Sequence, residues 1–137
     1  MTAYRLRLIL QPGRSDFKGE GDKLVSTEVA QLVVEVASEK LAADIVMLDL
    51  RQVAAFADYF VIMSAESSRQ IEALEEDITE ALEKEQVRRF HREGTPASGW
   101  VLLDFSDVVI HIFGPEEREF YNLERLWSRA PQVVRVL

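Results

Sequence analysis

The residues of this chain that could do chemistry gather in its C-terminal third. In the segment VLLDFSDVVIHIF, Asp104 and Asp107 flank a tight connection and His111 follows on the next strand-like run. Paired carboxylates can hold metal or move protons, and histidine can act as a base near neutral pH. Turns also favour aspartate, because its side chain bonds neighbouring backbone amides. We therefore interpret both aspartates as turn residues and His111 as a packing or interface residue, with no catalytic residue and no metal site.

Other chemistries find little support. The chain has no cysteine, which excludes disulfides, thiol nucleophiles and thiolate zinc sites. The stretch SAESSRQ follows a strand-like run and opens a helix, a place where phosphate often binds. It lacks the glycines that allow close backbone approach, and Glu66 would repel an anion. Phosphate binding there is weakly supported, and the sequence indicates no cofactor.

Two helices must position these residues. The first begins at Ser26, which we predict as its N-cap. The second is the stretch SSRQIEALEEDITEALEKEQ, in which Ser67 and Gln70 stand at capping-box spacing. The apolar stripes at helical spacing are Val29, Leu32, Val33, Val36 and Leu41 in the first helix, and Ile71, Leu74, Ile78 and Leu82 in the second.

The remaining apolar runs predict strands. The predicted strands are Ile45–Leu50, Tyr59–Ser64, a short edge strand Val87–His91, Trp100–Asp104 and Val108–Phe113. Pro115 suits the first turn of a further short helix. The fold class is therefore α/β, a compact mixed sheet of about five strands flanked by helices. We expect residues 1–25 to be a weakly ordered leader, 26–131 the single domain, and 132–137 a C-terminal tail.

Net charge and hydropathy limit the classes of partner that this chain can be expected to bind. The formal net charge is −8 and the pI about 4.8, whereas nucleic-acid binding normally needs a surplus of Lys and Arg. Free nucleic acid is therefore a poor partner and a basic protein surface a better one. No apolar run approaches the length of a transmembrane helix, so we expect no membrane partner. The absence of cysteine fits a reducing cytosol, and we expect a cytoplasmic protein.

The segment HIFGPEEREFYNLERLW places large rings among many charges. We expect Phe120, Leu123, Leu126 and Trp127 to pack beneath short helices. Tyr121 and Trp100 are then left as amphipathic rings near charged residues. Interfaces favour such rings, but rings that merely close the core would have the same composition, and composition leaves both interpretations open.

Three motifs carry a resemblance to a known family. ADYFVIMSAESSRQ (57–70), GWVLLDFSDVVIHIF (99–113) and PEEREFYNLERLW (115–127) resemble the ribosomal silencing factor family, also called Iojap-like proteins. The resemblance covers about residues 26–131. It implies a nucleotidyltransferase-like α/β fold without the enzymatic chemistry. Members of the family are often homodimers, so the resemblance also implies a possible homodimer. It also implies binding to the large ribosomal subunit at the fourteenth large-subunit ribosomal protein. Such binding would block joining of the small subunit and repress translation.

The resemblance also implies site residues. Trp100 and Tyr121 become aromatic anchors, and Asp104 shapes the hairpin or touches the rim. The polar partners implied around the anchors are His111, Glu117 and Arg118. At 64–68 the family usually has a small residue, Gly, Thr, Ser and Ser, whereas this chain reads SAESS.

Two alternatives stay open. The first is a nucleotidyltransferase-like nucleotide-binding protein or enzyme that uses the SSRQ helix start together with Asp104 and Asp107. The second is a dimerisation module that buries its aromatic rings in its own twofold contact.

Overall fold

A mixed sheet of six strands forms the centre of the molecule in a computed structural model, which describes residues 23–137. Of the leader predicted at 1–25, residues 1–22 lie outside the described residues. In sheet order the strands are β3-β4-β5-β2-β1-β6, and only the central pair β2 and β5 is parallel. The strands are β1 Ala43–Asp49, β2 Tyr59–Ser64, β3 His91–Thr95, β4 Trp100–Asp104, β5 Val108–Phe113 and β6 Gln132–Val136.

Two long helices, α1 and α2, cover one face of the sheet. Helix α2 begins after Ser67, whose Oγ accepts a hydrogen bond from the backbone N–H of Gln70 at 3.1 Å. The Gln70 side chain in turn accepts a bond from the N–H of Glu66 at 2.7 Å. The predicted stripe of α2 is confirmed, because its four apolar residues are all buried. The helices are α1 Ser26–Glu39, α2 Ser68–Lys84, α3 Pro115–Tyr121 and α4 Leu123–Leu126, with a 3-10 turn at Pro96–Ser98.

The predicted α/β class and mixed sheet are confirmed, but the strand count of about five was one short. The sixth strand, β6, lies in the range 132–137 that was given only as a tail, and it pairs with β1. Its sequence QVVRV is short and only weakly alternating, and its burial comes from the neighbouring strand. The edge strand was also misplaced, since it spans His91–Thr95 rather than Val87–His91. Pairing with β4 fixes that register, and the segment before His91 approaches β4 without being a strand.

The first helix differs from its prediction at both ends. Its N-cap is Val25, so Ser26 is the first helical residue and donates to Asp58 Oδ2 at 2.7 Å. The N–H of Val25 is instead satisfied by the Glu28 side chain at 3.0 Å. Leu41 is not part of the buried stripe: its φ is +64° and it is 82 % exposed. A residue in this left-handed conformation ends the helix and turns its side chain away from the core.

The short helices α3 and α4 cover part of the second face. Leu123 is buried there, and Trp127 packs against the same apolar cluster. The expectation that Phe120 and Leu126 join this core is wrong, because they are 80 % and 73 % exposed. Helices of 7 and 4 residues present too little length to bury more than one flank each.

Replacing Leu74 with Ala should strongly destabilise the fold. Leu74 is fully buried between α2 and the sheet, and such truncations lose transfer free energy and leave a cavity. We expect a loss of about 2–5 kcal/mol in the free energy of unfolding, measured by urea denaturation. Glu76→Ala, on the exposed side of the same helix, is the matched control. A Leu74→Ala loss no larger than the control would contradict this packing.

Candidate docking site on the second face of the sheet

Four rings meet where β4 and β5 pass beneath α3. We call Trp100, His111, Phe113 and Tyr121 the aromatic face. The Trp100 ring lies 4.4 Å from Tyr121 and 5.0 Å from Phe113, between centroids. Strand alternation produces the set: Trp100 pairs with Phe113 across the β4–β5 ladder, and His111 lies two residues before Phe113 on the same side. Tyr121, at the end of α3, closes the group.

Burial divides the aromatic face into an outer and an inner layer. Tyr121 is 44 % exposed and Trp100 is partly exposed, whereas His111 is only 3 % exposed. Phe113 is fully buried beneath them. The two outer rings therefore present aromatic surface to solvent on a firm apolar base. This is the arrangement of anchor residues in protein interfaces.

His111 fixes the indole of Trp100. The Trp100 Nε1–H donates to His111 Nδ1 at 3.2 Å, so this imidazole nitrogen must be unprotonated and the neutral ring is required. Phe60 packs edge-on against the imidazole at 4.7 Å. Burial lowers the pKa of His111 to about 3. His111 is thus a neutral, buried packing residue that supports Trp100, and not an exposed polar partner beside it.

Glu117 lies in a cradle formed by two glycines. The N–H of Gly114 donates to the carbonyl of Gly99 at 2.9 Å, which joins the start of α3 to the start of β4. A Cβ on Gly99 would stand 2.3 Å from Glu117 Cδ, and one on Gly114 would stand 2.5 Å from Glu117 Oε1. Gly99 also has φ +80°, a conformation that favours glycine. The cradle holds a partly exposed carboxylate next to Trp100.

Arg118 is buried and does not join the aromatic face. Its guanidinium donates to Glu124 at 2.9 Å and to Ser64 Oγ at 2.9 Å, and it lies 3.5 Å from Asp44 Oδ2. Asp44 also pairs with Arg135 at 2.8 Å. These contacts tie α3 to α4, to the end of β2 and to the start of β1. Arg118 was expected to be a polar partner around the aromatic anchors, but in the structure it is a buried residue that holds α3 in position.

Asp104 serves the hairpin, as the turn interpretation predicted. Its Oδ1 accepts a hydrogen bond from the N–H of Ser106 at 2.7 Å, and Ser106 has φ +72°. Asp104 is partly exposed on the same side of β4 as Trp100, four residues further along the strand. It can therefore touch a partner only at the rim of the aromatic face.

A small hollow adjoins the aromatic face and was missed in the sequence. Its volume is about 230 Å³, and its floor includes Leu102, whose position two residues after Trp100 could have indicated it. Two further lining residues, Glu93 and Gly94, belong to β3, the strand that was predicted too early in the chain. The lining residues are Glu93, Gly94, Ser98, Trp100, Leu102 and Tyr121.

The groups that a nucleotidyltransferase-like site would need are not brought together. Ser67 follows the C-terminal end of β2, whereas the carbonyl of Asp107 accepts a hydrogen bond from the N–H of Tyr59 at the other end of that strand. A six-residue strand separates them, roughly 20 Å. Within residues 23–137, no group of three or more His, Asp or Glu side chains could hold a metal ion. The described helices also include none long and apolar enough to cross a membrane.

Comparison with known proteins decides the family. The model of the family described as "Ribosomal silencing factor during starvation" matches residues 23–136. The chain belongs to the ribosomal silencing factor family. The resemblance read from the three motifs is thereby confirmed.

Relatives of this silencing-factor family span bacteria and organelles. The ribosomal silencing factor of Halalkalibacterium halodurans is 35% identical over 106 residues, 77% of this chain and 91% of that protein. A mouse protein named "Mitochondrial assembly of ribosomal large subunit protein 1" is 31% identical over 87% of this chain and 51% of its own. A crystal structure of a Chromobacterium violaceum protein has a TM-score of 0.73 at 27% identity, covering 81% of this chain and 94% of that one.

The buried imidazole predicts a pH-dependent stability. In the unfolded chain His111 takes up a proton below its ordinary pKa of 6.5, whereas the folded protein resists protonation until about pH 3. Stability is therefore fully present above pH 6.5 and falls as the pH decreases. We expect His111 alone to remove about 2 kcal/mol of the free energy of unfolding between pH 7 and pH 5.

Urea denaturation across this pH range checks the prediction. His111→Phe keeps a ring of similar size without a titrating group, so its stability should fall less between pH 7 and pH 5 than that of the wild type. His91→Phe is the control for the loss of one imidazole, because His91 is exposed and lies outside the buried cluster. Equal slopes for wild type and His111→Phe would contradict the buried neutral imidazole.

Proposed function

We propose that this silencing factor binds the large ribosomal subunit through the aromatic face. The observation that carries the proposal is the exposed Trp100–Tyr121 pair, with rings 4.4 Å apart over a buried aromatic base. A large aromatic surface on a firm base contributes much binding energy at little conformational cost. The family membership supports a ribosomal partner, and the name of the mouse relative supports the large subunit as that partner.

The partner in this proposal is the fourteenth large-subunit ribosomal protein, and charge supports a basic partner. The chain carries −8 overall. Glu93 lines the same hollow as the two outer rings, Glu117 lies beside Gly99 at the start of β4, and Asp104 lies at the far end of that strand. Opposite charge around an apolar centre speeds encounter and fixes orientation. The hollow of about 230 Å³ between β3 and Tyr121 is large enough to receive one partner side chain.

The six residues predicted for this site take different roles. Trp100, Tyr121 and Glu117 make direct contact, with Asp104 at the rim. His111 acts through Trp100, whose indole it orients. Arg118 acts through α3, the helix that carries Tyr121, because its contacts hold that helix on the sheet.

The mechanism in this proposal is steric and not enzymatic. The domain, once bound, occupies space at the face of the large subunit that the small subunit needs, and so represses translation in the cytoplasm. A homodimer that used the aromatic face would compete with this docking, because the same rings cannot be buried twice. Self-association is therefore expected to weaken ribosome binding.

Removing both outer rings should weaken binding to the large subunit. Trp100→Ala combined with Tyr121→Ala should cost at least about 2 kcal/mol of binding free energy, the usual hot-spot loss, which is about 30-fold in Kd. Co-sedimentation with purified large subunits measures it. Leu41→Ala is the control, because Leu41 is also exposed, at 82 %, but follows α1, which packs on the opposite side of the sheet.

A folded double variant that binds as tightly as the Leu41→Ala control would refute the interface. Light scattering of the same variants tests the alternative that the chain is a dimerisation module. That alternative predicts that the double variant becomes monomeric without any change in subunit binding. Titration with nucleotide and magnesium addresses the enzyme alternative: saturable binding that is lost in Asp104→Asn would favour it.

A further inference from the structure

A basic segment with one exposed ring lies at the free edge of the sheet. Residues 88–92 read RRFHR, three arginines and a histidine around Phe90, in a chain whose net charge is −8. The segment leads into β3, which pairs with β4 on one side and ends the sheet on the other. Phe90 is 76 % exposed. The fold thus leaves a large apolar ring in solvent between two guanidinium groups and an imidazole.

The positive charge of this segment is only partly neutralised. Arg89 and Arg92 share one carboxylate, that of Glu75 on α2, with Arg89 at 3.6 Å. Arg88 has no ion pair within 4.0 Å among residues 23–137. Arg88 and Arg89 also line an open hollow of about 1060 Å³ beyond the end of α2, where Glu83 is the one carboxylate among the lining residues that the structure describes. A local cationic surface therefore stands on an acidic protein.

We infer that this edge, residues 88–92, contacts RNA of the large subunit when the aromatic face is docked. Phe90 stacks on an unpaired base, and Arg88 and Arg89 bind phosphates on either side of it. The inference rests on the proposed function, because it takes the ribosomal surface as the place where RNA and this edge meet. It adds a second contact that the aromatic face does not supply.

The residue types favour RNA over an acidic peptide. Every base offers a flat face on which an aromatic ring can stack, and arginine binds phosphate oxygens in a fork. An acidic peptide would use the guanidiniums but would have no use for the exposed ring of Phe90. An exposed ring between cations is the pattern by which proteins hold unpaired nucleotides.

The position of the segment makes the two contacts compatible. The N–H of Phe90 donates to the carbonyl of Asp104 at 2.7 Å, so the segment borders the rim of the aromatic face. A partner protein on the aromatic face would hold neighbouring RNA close, which raises its effective concentration at the edge. The overall negative charge opposes binding to free RNA, so we expect the RNA contact only in the docked state.

Photo-crosslinking tests which macromolecule meets Phe90. A benzophenone amino acid in place of Phe90 is irradiated on purified large subunits, and the crosslinked product is treated with ribonuclease or with protease. We expect a ribonuclease-sensitive crosslink to ribosomal RNA. A crosslink to ribosomal protein alone, or none from a variant that still co-sediments, would overturn the inference.

Salt dependence gives a second, independent test. Arg88→Ala should weaken large-subunit binding and lower the slope of log Kd against log salt by roughly 1, the value for one lost phosphate contact. Phe90→Ala should weaken binding by at least about 5-fold, the low end for one stacked base. Arg69→Ala is the matched control, because Arg69 is exposed at the start of α2, a full helix length from Arg88.

The outcomes separate this inference from the proposed function. Wild-type protein that does not bind large subunits would refute the proposed function. Binding that depends on Trp100 and Tyr121 but is unchanged by Arg88→Ala and Phe90→Ala would refute only the RNA contact. Binding to free RNA as tight as to the subunit would also overturn the inference, because docking would then be unnecessary.

Discussion

The fold depends on a sheet that must be buried on two faces with unequal cover. Its central strands β2 and β5 are buried on both sides. Helices of 14 and 17 residues cover one face, whereas the other receives helices of only 7 and 4 residues. The shortfall is made up by large rings, which bury much area per residue. Where these rings extend beyond the area that the short helices cover, aromatic surface remains exposed.

This unequal cover links stability to docking. Arg118 holds α3 against the sheet through Glu124 and Ser64, and α3 places Tyr121 over Trp100. His111 holds the indole from below. Two residues that are themselves buried therefore determine the geometry of two that are exposed. A change in either buried residue should therefore alter the proposed docking surface, although neither residue is exposed to a partner.

The elements with strong periodicity could be predicted from the sequence. Helix α2 has both an N-cap and a regular stripe, and β2, β4 and β5 are continuous apolar runs, so their bounds agree closely with the structure. The two edge strands could not be placed in this way. HREGT has no large apolar residue, and QVVRV has three valines but is only five residues long and largely exposed. An edge strand is held by backbone pairing with its neighbour and buries little.

The sequence predicted which residues form the candidate site, but not which of them are buried and which are exposed. Trp100 and Tyr121 were identified as rings, yet their contact depends on the β4–β5 register and on the path of α3. His111 is buried by Trp100 and Phe60 on other strands, and Arg118 by its contacts with Glu124 and Ser64. Periodicity along one segment cannot give such contacts between elements. The exposed Phe120 and Leu126 reflect the same limit.

Inhibition of subunit joining tests whether the docked protein blocks the small subunit. Large and small subunits are mixed at a fixed magnesium concentration with excess protein, and their association is followed by light scattering. Steric blocking through the aromatic face predicts that the wild-type protein lowers the associated fraction, whereas a folded Trp100→Ala, Tyr121→Ala variant does not. Wild-type protein that occupies the large subunit yet leaves joining unchanged, or a double variant that inhibits equally well, would contradict it.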